Sequence, residues 1–128
     1  MNSPTDLPPT LTRSCGLSTA TMPTRLYTDP AHYALERERI FRRAWLKVGR
    51  VEQIPDAGDF FLKDIVVLDA SVLITRSKGG SIKAFHNVCS HRGNQVVLQS
   101  AGNAKRFTCR YHSWTYNNAG ELAAVPDE

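Results

Sequence analysis

Cysteine is scarce in this 128-residue sequence: only Cys15, Cys89 and Cys109 occur, too few for the disulfide framework on which small secreted domains rely. If two of the three serve a metal, no pair remains to cross-link, which fits a reducing compartment and leaves Cys15 an idle thiol. No apolar run approaches the roughly 20 residues of a membrane helix, and no signal-peptide hydrophobic region follows the start. G-x-G-x-x-G, P-loop and internal repeats are also missing, so no phosphate cradle is expected. Sixteen Lys and Arg against twelve Asp and Glu leave a mild net charge of +4, without the basic run and interleaved aromatics that nucleic acid demands. These absences predict a soluble, cytoplasmic protein that binds neither nucleic acid nor membrane.

What is present begins at about residue 26. Residues 1–25 are rich in Pro, Thr and Ser and poor in large apolar side chains, a composition that cannot offset its ordering entropy, so a flexible arm is expected there. Its few acids, with Arg13 and Arg25, leave an organelle transit peptide as an alternative. At Thr28-Asp29-Pro30 the aspartate can cap a helix whose first position is proline. Tyr33, Ile40, Phe41, Ala44 and Trp45 then recur at helical spacing opposite a charged face, predicting one helix over about 30–43 with an aromatic stripe that packs in the core. From Trp45 the period becomes two. Leu46–Val51, Phe60–Leu62, Ile65–Leu68, Val72–Thr75 and Ser81–His86 read as short strands, and Trp114–Tyr116 pairs with Glu121-Leu122 across Asn117–Gly120. Such spacing predicts a mostly β, antiparallel sandwich or small barrel.

Two short stretches carry the chemistry. Cys89-Ser90-His91-Arg92-Gly93 and Cys109-Arg110-Tyr111-His112 each offer one thiol and one imidazole, a C-x-H-x17-C-x2-H arrangement. His32 and His86 have no cysteine at ligand spacing and are read as ordinary residues, His32 on the surface. Two thiolates and two imidazoles suit zinc as well as iron. Zinc fingers, however, pair cysteine with cysteine and histidine with histidine at their two ends. Mixed loops favour two irons bridged by sulfide.

With Phe85-His86-Asn87-Val88 before the first loop, Ser113-Trp114-Thr115-Tyr116 after the second, and Gly120-Glu121-Leu122 and Val125-Pro126 beyond, the sequence resembles the N-terminal Rieske [2Fe–2S] domain of ring-hydroxylating oxygenase α subunits. The upstream Tyr27–Pro30 segment, Ile40-Phe41 and Trp45 extend the resemblance over about 25–128. It implies a Rieske-type β-sandwich with a small cluster-binding subdomain, whose loops fall at about 86–94 and 107–116. It also implies Cys89 and Cys109 on one iron and His91 and His112 on the other, with Arg92, Gly93, Tyr111 and Trp114 shaping and covering the loops. Ser113 stands where the family often has glycine, and Arg110 where it often has proline.

High-potential Rieske proteins carry a further cysteine in each loop. Here those places hold Asn94 and Tyr111, which argues for the low-potential class, near about −150 mV, with a potential that falls once a ligand histidine deprotonates. The family's mononuclear Fe(II) needs two histidines and a carboxylate, and no histidine follows His112, so the C-terminal catalytic domain is read as absent and no catalytic residue is assigned. The resemblance implies electron entry from a ferredoxin or flavin reductase, delivery to the mononuclear iron of a neighbouring subunit, and a trimer-based oligomer. A stand-alone Rieske ferredoxin is the alternative, although such carriers usually lack the N-terminal helix and the Pro-rich arm. Aromatic hydrocarbons, heteroaromatics and quaternary amines all remain open as substrates.

Overall fold

The computed structural model describes residues 20–126. The predicted arm over 1–25 and Cys15 therefore lie wholly or mostly outside the described residues. The chain divides into two units, one ending at Glu36 and the other covering Arg37–Glu128.

The first unit holds two helical segments, α1 (Arg25–Thr28) and α2 (Pro30–Glu36). The start of α2 follows the expectation: Ala31 donates its N–H to Asp29 Oδ1 at 2.9 Å, satisfying a donor that the helix itself leaves free. His32 and Glu36, one turn apart, approach to 3.5 Å.

The second unit opens with a π-helical turn, Arg37–Phe41, so helical backbone covers most of the span predicted at 30–43 but changes type on the way. The packing expectation for its stripe is overturned. Tyr33 is 47% exposed, Ile40 53% and Trp45 fully so, and neither α2 nor the π turn buries a residue. Helical spacing identifies an apolar face; it carries no information on what covers that face.

Two antiparallel sheets follow. The first has the order β3-β2-β1-β4, with β1 Asp59–Ile65, β2 Ala70–Arg76, β3 Ile82–His86 and β4 Ala101–Asn103. The second is β5-β6-β7, Arg106–Thr108, Thr115–Asn117 and Leu122–Ala124. Alternation along β1 divides the core. Phe60 faces a cluster with Leu73, Val96, Val97, Phe107, Cys89 and Cys109, while Phe61 on the opposite face packs with Ile54 and Ile74. Phe60 meets Phe107 edge to face at 5.2 Å, so an aromatic contact joins the first sheet to the second.

Two predicted strands are absent. Leu46–Val51 runs irregularly into a 3-10 turn, Val51–Gln53, because the Arg50 N–H is taken by the Gln53 side chain at 2.8 Å rather than by a ladder. Gly49 lies so close to the Phe61 ring that an added Cβ would meet it at 2.5 Å. After Ile65 the chain winds through a second 3-10 turn, Val66–Leu68, and reverses at Asp69 with φ 51. Apolar β-branched composition mimics a strand there, but the β1–β2 connection needs the turn.

Candidate metal centre

The two loops sit at the ends of strands, the first between β3 and β4 and the second between β5 and β6, and they are built alike. In the first, the Cys89 N–H donates to Asn94 O at 2.7 Å and the Gly93 N–H to Cys89 O at 2.9 Å. In the second, the Cys109 N–H donates to Trp114 O and the Ser113 N–H to Cys109 O, both at 2.9 Å. Each loop closes through one left-handed residue at the same place, Gly93 with φ 71 and Ser113 with φ 58. The positions of the histidines differ, two residues after Cys89 and three after Cys109, while the backbone skeleton is shared.

That skeleton brings the four donors together as two pairs. Cys89 and Cys109 are both free thiols, each 2% exposed, buried among the apolar side chains of the larger core. The rings of His91 and His112 lie 4.7 Å apart. His86, by contrast, is exposed on β3. No group of three or more His, Cys, Asp and Glu among the described residues is disposed around a single ion.

The donor chemistry fits a binuclear cluster. Burial pushes the Cys109 thiol up, but the backbone N–H groups of Tyr111 and His112, the Cys89 thiol and the Asn94 amide outweigh it and hold the thiol below its ordinary value. Asn94 Nδ2 lies 3.8 Å from Cys109 Sγ. Burial, then the His91 ring and the Arg92 guanidinium, push His112 down, which keeps its ring neutral with a lone pair free. Nδ1 of His112 is buried with no hydrogen-bond partner, and no other side-chain nitrogen or oxygen among the described residues is left so. A buried orphan nitrogen is costly in a folded protein unless a ligand takes it.

Of the four residues expected to support the loops, Trp114 and Tyr111 lie against the histidine rings. Trp114 stacks on His91 with centroids 4.9 Å apart and planes 9° from parallel, and Tyr111 tilts over His112 at 3.9 Å. Sequence reasoning missed two further residues. Tyr116 Oη is 3.3 Å from Cys89 Sγ, accepts the Ser90 N–H at 3.0 Å and lies 2.8 Å from Ser90 Oγ. Burial, then the Cys89 thiol, raise the Tyr116 phenol, with Ser90 opposing. The buried Asn87 clamps the first loop, donating Nδ2–H to Val97 O at 2.7 Å and accepting the Val97 N–H at 2.9 Å. A lone Asn beside a ligand loop gives no such signal in sequence, whereas Tyr116 at a strand position could have been paired with Cys89 only from the register.

Comparison with known proteins agrees with this geometry. The family model of the Rieske [2Fe–2S] domain matches residues 44–128. The α subunit of biphenyl 2,3-dioxygenase from Rhodococcus jostii (strain RHA1) is 47% identical over 104 residues, 81% of this chain and 22% of that subunit. Naphthalene 1,2-dioxygenase from Rhodococcus sp., solved with indole bound, superposes with a TM-score of 0.78 at 39% identity, over 83% of this chain and 24% of that one. A quaternary ammonium Rieske monooxygenase gives 0.77 at 31% identity, over 84% and 29%. The chain thus spans about a quarter of the length of the relatives it matches. No helix among the described residues is long and apolar enough to cross a membrane. The chain belongs to the Rieske [2Fe–2S] domain family and is similar to the N-terminal region of aromatic-ring-hydroxylating dioxygenase α subunits.

Proposed function

We propose that this chain is the electron-entry domain of an aromatic-ring-hydroxylating oxygenase α subunit, with Cys89 and Cys109 holding one iron of a [2Fe–2S] cluster and His91 and His112 the other. The observation that carries the proposal is the pairing of buried thiols and facing imidazoles around an unpartnered His112 Nδ1. When bound, the cluster supplies a one-electron couple between an external donor, a ferredoxin or flavin reductase, and a mononuclear iron elsewhere in the oxygenase. The chain's own residues prepare and guard it. The N–H donors around Cys109 favour the thiolate, and the low basicity of His112 spares metal binding the displacement of a proton. Trp114 and Tyr111 pack against the two rings and hold their orientation. Asn87 and Tyr116 fix the first loop, so that Cys89 needs little reorganisation.

Electron delivery across a subunit boundary follows by analogy with the quaternary ammonium monooxygenase, for which inter-subunit electron transfer is described, and a trimer-based assembly is part of the same proposal. Aromatic hydrocarbons are the substrate class of the whole protein, in line with the biphenyl and benzene dioxygenase relatives. The test is metal and sulfide analysis of anaerobically purified protein. Two irons and two acid-labile sulfides per chain are expected, with loss of the visible absorption in His112→Ala. Stoichiometric zinc without sulfide overturns the reading.

A further inference from the structure

The charges of this chain are segregated along it. From Ala70 to Gly120 there is no aspartate or glutamate, whereas Arg76, Lys78, Lys83, Arg92, Lys105, Arg106 and Arg110 all fall in that stretch. All twelve acids lie outside it, so the mild net charge of +4 hides a cationic half that contains both ligand loops. Arg92, Arg106 and Arg110 are exposed, and every ion pair among the described residues lies elsewhere, at His32–Glu36, Glu38–Arg42 and Arg50–Glu52. Among the described residues no carboxylate pairs with them. Arg92 follows donor His91, Arg110 follows donor Cys109, and Arg106 and Arg110 line one groove of about 470 Å³ with Val96 and Val97, which share the core of the two thiols.

We propose that this groove and its arginines form the docking face for an acidic protein electron donor. The proposal rests on the cluster reading above and adds the place and sign of the encounter. Positive charge in both loops, at Arg92 and Arg110, raises the local concentration of an acidic partner beside them. One electron leaves the reduced donor and is taken up by the oxidised cluster, with no proton or further reactant needed. A protein fits better than a small anion because the charges spread over two loops and a strand. Nucleic acid fits less well, because Tyr111 is a lone exposed aromatic in these loops and not the row of stacking rings that successive bases need.

The probe is an acidic plant-type [2Fe–2S] ferredoxin. Its binding is measured by fluorescence anisotropy, and electron transfer by stopped-flow bleaching of the cluster, at ionic strengths from about 0.01 to 0.3 M, over which screening shortens from about 30 Å to under 8 Å. Association should weaken steeply with salt. The R106Q/R110Q variant should lose about tenfold in both affinity and second-order rate at low salt and show a flatter salt dependence. K78Q/K83Q, which removes the same charge from the β2–β3 hairpin, should change either by less than about twofold. Reduction by dithionite should be unaffected in both. Equal losses in the two variants, no salt dependence, or tighter binding to a random-sequence DNA duplex than to ferredoxin overturns the docking site. If the protein holds no iron and sulfide, the cluster reading fails by itself, and anisotropy still decides the docking face.

Discussion

Replacing Ser113 by glycine should stabilise the protein, although it deletes a side chain next to His112, a proposed cluster ligand. Ser113 is held at φ 58, where a side chain costs about 1–2 kcal/mol. Glycine escapes that strain but gives up more chain entropy on folding, about 0.4–1 kcal/mol. The difference is a net gain of about 0.5–1 kcal/mol, equivalent to a rise of about 3–6 °C in Tm for a domain near 100 residues. The shared loop skeleton supplies the mirror experiment. Gly93 occupies the same place with φ 71, and nothing lies within 4 Å of a Cβ added there, so Gly93→Ala isolates the conformational cost and should lose about 1 kcal/mol. Calorimetry of cluster-loaded protein, with visible absorption reporting cluster retention, measures both. If Ser113→Gly lowers Tm by as much as Gly93→Ala does, the backbone equivalence of the loops is wrong.

Other expectations test neighbouring parts of the same construction. Gly120→Ala should cost more than Gly93→Ala, about 2–4 kcal/mol, since it adds to a left-handed backbone a Cβ that would run into the Phe85 ring; equal Tm losses would count against that close approach. Asn87→Ala breaks both bonds to Val97 and leaves their partners buried, so chemical denaturation should show a loss of about 2–3 kcal/mol, and a loss under 0.5 kcal/mol would remove the clamp from the account. Trp114→Ala uncovers His91, and the rate of cluster loss to a chelator should rise about tenfold, matching the ~1.4 kcal/mol upper range for an aromatic stack. Trp114→Phe should recover most of it.

Legibility in the sequence followed the range of the interactions. The pairing of one cysteine with one histidine in each loop, the capping Asp29 and the strands around Phe60, Val72 and Phe85 are readable because local spacing and composition determine them. Tyr116 and Asn87 are not, because their partners, Cys89 and Val97, are set by strand register and loop path. The stripe of Tyr33, Ile40 and Trp45 failed for a different reason: its periodicity is real and its exposure is also real. Leu46–Val51 failed because strand propensity measures fit to a half-buried pleated surface, and at Gly49 the neighbouring space is filled by the Phe61 ring.

The two loops show why a motif of unequal spacing can build a paired site. Were each loop an independent ligand carrier, C-x-H and C-x-x-H would place their imidazoles differently and nothing would require the thiols to meet. Here the backbone closes identically from each cysteine to the residue five positions on, and the left-handed residue at the fourth position turns the chain in both. Identical frames put the two thiols in one buried core, and the one-residue offset of the histidines is absorbed within the frame, leaving the rings face to edge at 4.7 Å. Adding or deleting a residue between Cys109 and His112 would break the frame of one loop alone. The spacing is therefore a property of the fold's closure as much as of the metal, and a variant that shortens C-x-x-H to C-x-H, by deleting Arg110, should lose the cluster and retain the β1–β2–β3 sheet by circular dichroism.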